Sequence, residues 1–567
     1  MRAWILRTIA PYRTQLALLL GIQLLIAGLV AVQPIFFQRL VDSLMEGEAV
    51  SLPSFIALSA ALGAVFLCVA AAQGAGGYVA ALFSSDLLRR LQVSFFEKTA
   101  QLPLTYFRRH SAGEFFTRFN HDVGQAQSFV ANVVPTFIRE GVTATALIVV
   151  LAWFCPWQLV ATAVLVSAIS TALAVLCHRI LGRYAESQRA GWGEINRQFD
   201  ETVRGIDTIK TFGAEERRTQ QFENETARFR SVSVDAGRTV ALFSPTIDLV
   251  TRLGGLALVV IAYAMISGGT LRIETFVLFF FCSALLQGSV TEMIQLYTQM
   301  PPQLVGIGNL ASFFLEEEED AARSDVEEGS ARIDRSLPIE FEGLEFSYPG
   351  GRELYGGATL SIPARSITIV QGPNGSGKST LINLLLDFNR PTAGTITIGG
   401  QPLSKFSRKE LRTQISVVTQ YHHIFHDSLR ENLRIAKPGA SDEELLDALD
   451  QVGMTDFVAN LPCGLDQLLD SSGKVISGGE RQRICIARLL LRASPILVLD
   501  EPWSNLDEHA AQVLTQVLGR LRARCTVIVI AHHADRLGLR ADRWMLLGSG
   551  GLERSGLPER RVRFPAA

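Results

Sequence analysis

Four stretches of this sequence are too long and too poor in charge to rest in water. Leu16–Phe37, Ala49–Ser85 and Leu159–Cys177 carry no charge, and Ile273–Val290 carries only Glu274. A run of about 20 apolar residues crosses the hydrocarbon core of a bilayer as a helix. The helix is required because it satisfies its own backbone groups where no water can. The pattern predicts six spans: 14–37, 55–80, 130–154, 158–178, 240–266 and 274–296. The third holds Arg139 and Glu140, which suits the inner interface with the helix running on past them. Further spans follow the first and no clear small-residue cleavage site precedes the second, so the first reads as a retained helix rather than a signal peptide. Composition agrees. Charged residues make up 19% of the chain and hydrophobic ones 48%, against about 25% charged in soluble domains.

The connections alternate in charge. Arg89, Arg90, Lys98, Arg108, Arg109 and Arg118 lie between spans two and three. Arg179, Arg183, Arg189, Arg197, Arg204, Lys210, Arg217 and Arg218 lie between four and five. Segments 46–54 and 155–158 have no Lys or Arg, and 267–273 has only Arg272. The positive-inside rule then predicts a multi-pass protein of the inner (plasma) membrane, with its N-terminus and both long connections in the cytoplasm. Those connections have few Gly or Pro and read as helices continuing out of the bilayer. Net charge is −2, which gives no support for a nucleic-acid partner. The seven cysteines form no C-x-x-C pair, so neither a disulfide framework nor a zinc site is indicated.

The membrane half is expected to cover 1–313. An acidic linker, 314–336, follows, with Glu316–Asp320 as a solvated run. From Leu337 short β-rich runs alternate with helical stretches, which predicts an α/β domain over 337–558 with a largely parallel sheet. The last residues, 559–567, form a basic tail.

The stretch "GPNGSGKST", Gly372-Pro373-Asn374-Gly375-Ser376-Gly377-Lys378-Ser379-Thr380, fits G-x-x-x-x-G-K-[ST]. It follows the β-run Ile367–Val370 and precedes a helical run, the context that gives this motif its meaning. Glycines let the backbone wrap phosphates, amide N–H groups point inward, and the helix N-terminus adds positive potential. Lys378 is expected on the β- and γ-phosphates, and Ser379 on Mg²⁺. The run "ILVLDE" ends in Asp500, expected on Mg²⁺, and Glu501, expected beside the attacking water. Two acids at a strand end are by themselves a solvated edge; the phosphate loop is what gives them a role. His532 closes the next β-run, placed to reach the γ-phosphate, and His533 reads as surface.

Taken in order, these motifs resemble the exporter-type ATP-binding cassette transporters, over nearly the whole chain. The resemblance implies a six-span α-helical membrane domain followed by an α/β P-loop nucleotide-binding domain. Tyr348 in "FSYPG" then looks like the aromatic that stacks on adenine. Gln420 in "VVTQ" looks like the glutamine that joins Mg²⁺ and water to the membrane domain. "ISGGE", with Ser477, Gly478, Gly479 and Glu480, resembles the signature sequence. "SNLD" resembles the loop that crosses to the other site, with Asp507 its acid, and His532 matches the switch histidine. Segments 106–123, with Gly113, Arg118 and Asp122, and 201–218 resemble the two cytoplasmic coupling segments.

In this family the signature of one cassette contacts the phosphate held by the loop of the other. One chain has one loop and one signature, so the resemblance implies a half-transporter that dimerises head to tail. With every motif intact, a homodimer is the economical reading; a heterodimer stays open. The cofactors implied are ATP and Mg²⁺, and the mechanism is alternating access, exporting a small amphipathic molecule, a lipid or a peptide. Import of a siderophore-like ligand on the same fold and an ATP-gated channel or sensor remain as alternatives. The uncharged runs oppose a soluble cassette ATPase.

Polar groups in the spans are the only substrate clues. Asp248 lies one turn before Arg252, so either the two pair along their own helix or Asp248 lines a pathway; Glu292 either lines a pathway or sits near the inner end of a long helix. Gln23 and Gln33 face either a cavity or another helix, and "GAGG", 74–77, suits close helix packing. The sequence starts at an amphipathic segment, "MRAWILRTIAPYR", with no peptidase domain before it, so leader processing is not expected. Glu480 departs from the family, which usually has Gln there. Ser477-x-x-Glu480 has the form of a capping box, which would steady the loop while setting a negative charge close to the incoming triphosphate.

Overall fold

The computed structural model describes residues 8, 10–45, 52–110, 112–319, 334, 336–348, 351–469, 476–504, 506–531, 539–548 and 551–556. His532, His533, Asn505, most of the acidic linker and the basic tail lie outside the described residues. The chain divides into two compact units. One comprises Met1–Ala100 with Ser111–Glu316, the other Gln101–His110 with Glu317–Ala567.

The first unit is helical. Its main elements are α1 (Arg13–Met45), α2 (Leu52–Gln101), α3 (Val134–Phe154), α4 (Trp157–Arg204), α5 (Glu215–Ser267) and α6 (Ile273–Leu315). Among the described residues, six helices are long and apolar enough to cross a membrane. With 48 and 53 residues, α4 and α5 are about 70 and 80 Å long at 1.5 Å per residue. Both far exceed a hydrocarbon core of about 30 Å. Packing at one end is apolar and tight: Leu147, Leu151, Leu159, Leu278, Phe279 and Leu286 are all buried in one cluster. Arg139 and Glu140 lie within α3 and pair with each other. Arg139 also donates to Gln23 Oε1 on α1 at 3.5 Å, while Gln33 is buried in α1. Both glutamines therefore serve packing within the helical unit.

Close approach sits where the glycine pattern only half indicated. Of the glycines at 74–77, a Cβ on Gly76 would meet Ile22 at 3.1 Å, while Gly74 and Gly77 have open space. The tightest crossing is instead at Gly254 on α5, where a Cβ would lie 2.5 Å from Val166 of α4. Ahead of α3 the helical path contains two π-helical turns, Arg118–Asp122 and Phe129–Val133. Asp122 is buried there and accepts from Asn309 Nδ2 of α6 at 3.1 Å.

The second unit is built on two sheets. Its strands are β1 (Ile339–Ser347), β2 (Glu353–Ile362), β3 (Ile367–Gln371), β4 (Ala393–Ile398), β5 (Gln401–Pro402), β6 (Ile415–Val418), β7 (Ile496–Asp500), β8 (Thr526–Ile530), β9 (Arg543–Gly548) and β10 (Gly551–Gly556). The smaller sheet is antiparallel, in the order β2-β1-β4-β5, and the larger runs β10-β9-β3-β8-β7-β6. In the larger sheet every neighbouring pair is parallel except β9 with β10. Strand period decides its two cores. Val370, Val498 and Ile530 face the small sheet's Phe341, Leu360 and Ile396. Their neighbours Ile369, Leu499 and Val529 face the opposite core, with Ile484, Leu514 and Leu518. Three helices matter for the site: α7 (Lys378–Leu385), α8 (Gly478–Arg492) and α9 (Glu508–Leu521).

Candidate active site

β3 and β7 lie on either side of β8 and run parallel to it, so their carboxyl ends meet at one edge of the sheet. Open α/β sheets bind ligands at such an edge. β3 delivers the loop 372–377 and then α7; β7 delivers Asp500 and Glu501. The sheet alone thus brings the loop and the two acids together.

The loop is closed on itself. A Cβ at Gly372 would fall 2.3 Å from the Leu547 carbonyl and 2.6 Å from Ser376 Oγ, so only glycine fits. Lys378 is buried, and its ammonium donates to the carbonyls of Gly372 at 2.7 Å and Pro373 at 2.9 Å. Desolvation pushes the Lys378 pKa down, while the charges of Glu501 and Asp500 pull it back up. Buried in the same loop, Ser376 Oγ has no hydrogen-bond partner among the described residues. A buried hydroxyl, a half-desolvated ammonium and a wall of loop backbone form a cradle suited to phosphate oxygens.

Around it stand oxygen donors. Ser379 Oγ donates to Asp500 Oδ2 at 3.4 Å, and Gln420 Nε2 lies 3.5 Å from Glu501 Oε2. A hydroxyl, a carboxylate and an amide oxygen are the hard ligands that Mg²⁺ takes alongside substrate phosphates. The residues present therefore fit the ion. Glu501 has φ +50 and its N–H donates to the Ile530 carbonyl at 2.8 Å. Left-handed backbone in a side-chain-bearing residue costs about 1–3 kcal/mol and collects at functional sites.

Tyr348 is half-buried. Its hydroxyl accepts from Asn389 Nδ2 at 3.2 Å and Arg108 Nη1 at 3.4 Å, and lies 3.4 Å from Thr380 Oγ1. Its ring stands edge-on to Phe346. Arg108 belongs to the short helix Leu104–Arg109 of the same unit.

Ser477 and Asp507 serve their own helix starts. Ser477 N-caps α8 in a full capping box: its N–H donates to Glu480 Oε2 at 2.6 Å and its Oγ accepts from the Glu480 N–H at 3.3 Å. Asp507 N-caps α9, with Oδ1 accepting from the Ala510 N–H at 2.7 Å.

Several supporting residues carry no motif. Arg352 Nη2 donates to the Gly375 carbonyl at 2.5 Å, and Tyr355 Oη to the Gly377 carbonyl at 2.7 Å. Arg488 of α8 donates to the His423 carbonyl and to Asn432, whose Nδ2 holds the Phe425 carbonyl, so together they brace the loop after Gln420. A lone arginine inside an amphipathic helix gives no sequence signal of that reach.

Fold and site define a class: a P-loop ATPase joined in one chain to a bundle of membrane-length helices. Residues 16–290 match the ABC transporter transmembrane region, and residues 355–504 the ABC transporter family. An ATP-dependent lipid A-core flippase of Aromatoleum aromaticum is 30% identical over 509 residues, 87% of this chain and 81% of that protein. Another of the same name, from Chromohalobacter salexigens, is 27% identical over 564 residues, 97% of this chain and 94% of that one. A bacterial Atm1-family ABC exporter solved with ATP bound superposes with a TM-score of 0.85 at 22% identity, covering 97% of this chain and 96% of that one. That likeness is one of fold. The chain belongs to the ATP-binding cassette transporters, as an exporter-type half-transporter with membrane domain and cassette in one chain. It is an ATPase coupled to transport, and its kinship favours export over import.

Proposed function

We propose that the chain works as a head-to-tail homodimer in the inner membrane, with its cassettes in the cytoplasm, and exports an uncharged amphipathic molecule. The observation that carries the ATPase reading is the convergence of Lys378, Ser379, Asp500 and Glu501 at the carboxyl ends of β3 and β7. In that reading Lys378 and the loop amides bind the phosphates, and Ser379, Asp500 and Gln420 hold Mg²⁺. The ion supplies charge neutralisation at the transferring phosphoryl group. Glu501 orients and polarises the attacking water, Tyr348 packs on the base, and Ser477 to Glu480 with Asp507 act on the partner's nucleotide. His532 keeps its assignment from the sequence alone.

The substrate class rests on a cavity of about 350 Å³ between α4, α5 and α6. Its wall mixes Phe243, Ile247 and Ile294 with Ser170, Thr251, Gln287 and His178, and no Asp, Glu, Lys or Arg is among its lining residues. Asp248 and Glu292 are not part of that wall; Asp248 pairs with Arg252 at 2.8 Å along its own helix. A pocket of this size with apolar walls and a few convergent hydroxyls and amides orients a small, mostly apolar ligand. The relatives named for lipid A-core flipping support an amphiphile. A wall without Lys or Arg favours one without phosphates, because an unpaired charge taken into it costs several kcal/mol. ATPase rates of the full chain in lipid nanodiscs test this. Neutral amphiphiles are expected to stimulate turnover several-fold, and Ser170→Leu, which narrows the cavity and removes one of its hydroxyls, to weaken that stimulation. Stimulation by phosphorylated amphiphiles alone would overturn the substrate class.

Glu480 is proposed to trade closure for loop stability. Its carboxylate sits in the first turn of α8, where it is worth about 0.3–1 kcal/mol against the helix dipole, but where the partner's triphosphate must arrive. Glu480→Gln is expected to raise apparent ATP affinity or turnover about 2- to 5-fold. A variant with unchanged affinity and turnover makes the substitution neutral.

A further inference from the structure

Tyr355 lies in no recognised motif, yet it is 1% exposed and among the largest fully buried side chains of the chain. Its place depends on an irregularity. Along the β1–β2 pair, Leu344 faces Ala358 and Phe346 faces Leu354. Glu345 alone therefore opposes Tyr355, Gly356 and Gly357, a bulge that interrupts the alternation of β2. All three have positive φ, +75, +50 and +73. Two are glycines, which adopt this freely; Tyr355 does not, and the strain is held by what its side chain gains. Bulges next to active sites re-aim a side chain, and this one turns the ring under the phosphate loop.

The contact is specific. Tyr355 Oη donates to the Gly377 carbonyl at 2.7 Å. The same carbonyl accepts the Leu381 N–H at 2.9 Å, the first bond of α7, so Gly377 is held from both sides. Gly377 has φ +98, and a Cβ there would touch the Tyr355 hydroxyl at 3.0 Å. Ring and loop are thus fitted to each other at the residue immediately before Lys378. Burial pushes the Tyr355 pKa up, so the hydroxyl remains a neutral donor through the working pH range. On the exposed side Arg352 holds the Gly375 carbonyl in the same way.

Resting on the ATP-site reading above, we propose that Tyr355 is a positioning residue for phosphate binding: it presets the 375–378 backbone in the conformation that receives phosphate. Preset amides are paid for before the ligand arrives, so their loss weakens binding of substrate and transition state alike. Tyr355→Phe removes only the hydroxyl. The full chain in nanodiscs is expected to show a KM for ATP raised about 2- to 10-fold, the worth of one buried hydrogen bond. Its kcat should stay within about two-fold, the mark of lost uniform binding. A structural role alone would lower the unfolding midpoint without moving KM. An unchanged KM, or a loss confined to kcat, overturns the proposal. If the Phe chain is not recovered folded, the same split is read in Tyr355→Leu, which keeps an apolar filler without a donor. Lys378→Ala measured in parallel separates the two readings. If it too leaves ATP binding unchanged, the site assignment has failed; if it alone weakens binding, only the role of Tyr355 has.

Discussion

Glu501→Gln is expected to lower ATP turnover by about 10²- to 10⁴-fold, the range for a lost general base, while ATP still binds. The amide keeps the shape of the carboxylate and the reach toward Gln420, which now stands 3.5 Å away. It loses the negative charge that would polarise a water. The same charge helps keep Lys378 protonated, so its removal leaves the ammonium with the charge of Asp500 to offset its desolvation. ATP should accumulate on the protein unhydrolysed, measured as retained nucleotide after rapid desalting, and the dimer should stay closed, measured by cross-linking. Normal turnover would remove Glu501 from the catalytic role. The same variant tests the channel reading. Substrate flux that persists down a gradient when hydrolysis is abolished would mark a gated pore rather than a pump.

Lys378→Ala is expected to weaken ATP binding by about 10- to 150-fold, since one charge-assisted hydrogen bond is worth about 1.5–3 kcal/mol. Turnover should fall further, because a donor aimed at developing charge contributes about 10²- to 10³-fold in rate. The loss is not one of folding. Lys378 carries a desolvated charge whose ammonium donates to two loop carbonyls, so its removal relieves as much as it breaks. The unfolding midpoint without nucleotide should therefore hardly move. What should disappear is the rise in that midpoint on adding ATP, which follows from binding to the folded state alone. A variant that keeps both ATPase activity and the ATP-dependent rise would sink the phosphate-loop assignment.

Much of the site was legible because its chemistry is local. Nine consecutive residues, 372–380, make the loop, two more make the acids, and the β-runs before each are short and apolar. Ser477 and Glu480 are three residues apart, so their capping box was readable as a spacing and is present in the structure. Tyr355 was not readable. Simple alternation on β2 does not foretell a bulge of three residues against one, and nothing in "LYGG" says that the hydroxyl ends at Gly377. The glycines at 74–77 told only part for a related reason: small residues permit close packing, as Gly76 does here, but which of them meets a neighbour depends on the crossing helix. Here that is Gly76 alone, while the tightest helix crossing falls at Gly254.

Membrane class, helix number and the phosphate chemistry follow from the sequence by itself, because each depends on residues near one another: a bilayer demands an uninterrupted apolar helix, and a phosphate demands a contiguous nest of amides. The tertiary structure decided the rest. Only the strand order β3-β8-β7 sets Ser379 beside Asp500 across 121 positions of chain. Only the folding back of three helices forms the cavity between α4, α5 and α6, whose walls come from three separate stretches of chain. Likewise the segment Gln101–His110, written among the membrane helices, belongs by its contacts to the cassette unit. Those outcomes depend on which distant surfaces exclude water together, and no window of sequence contains both sides of such a contact.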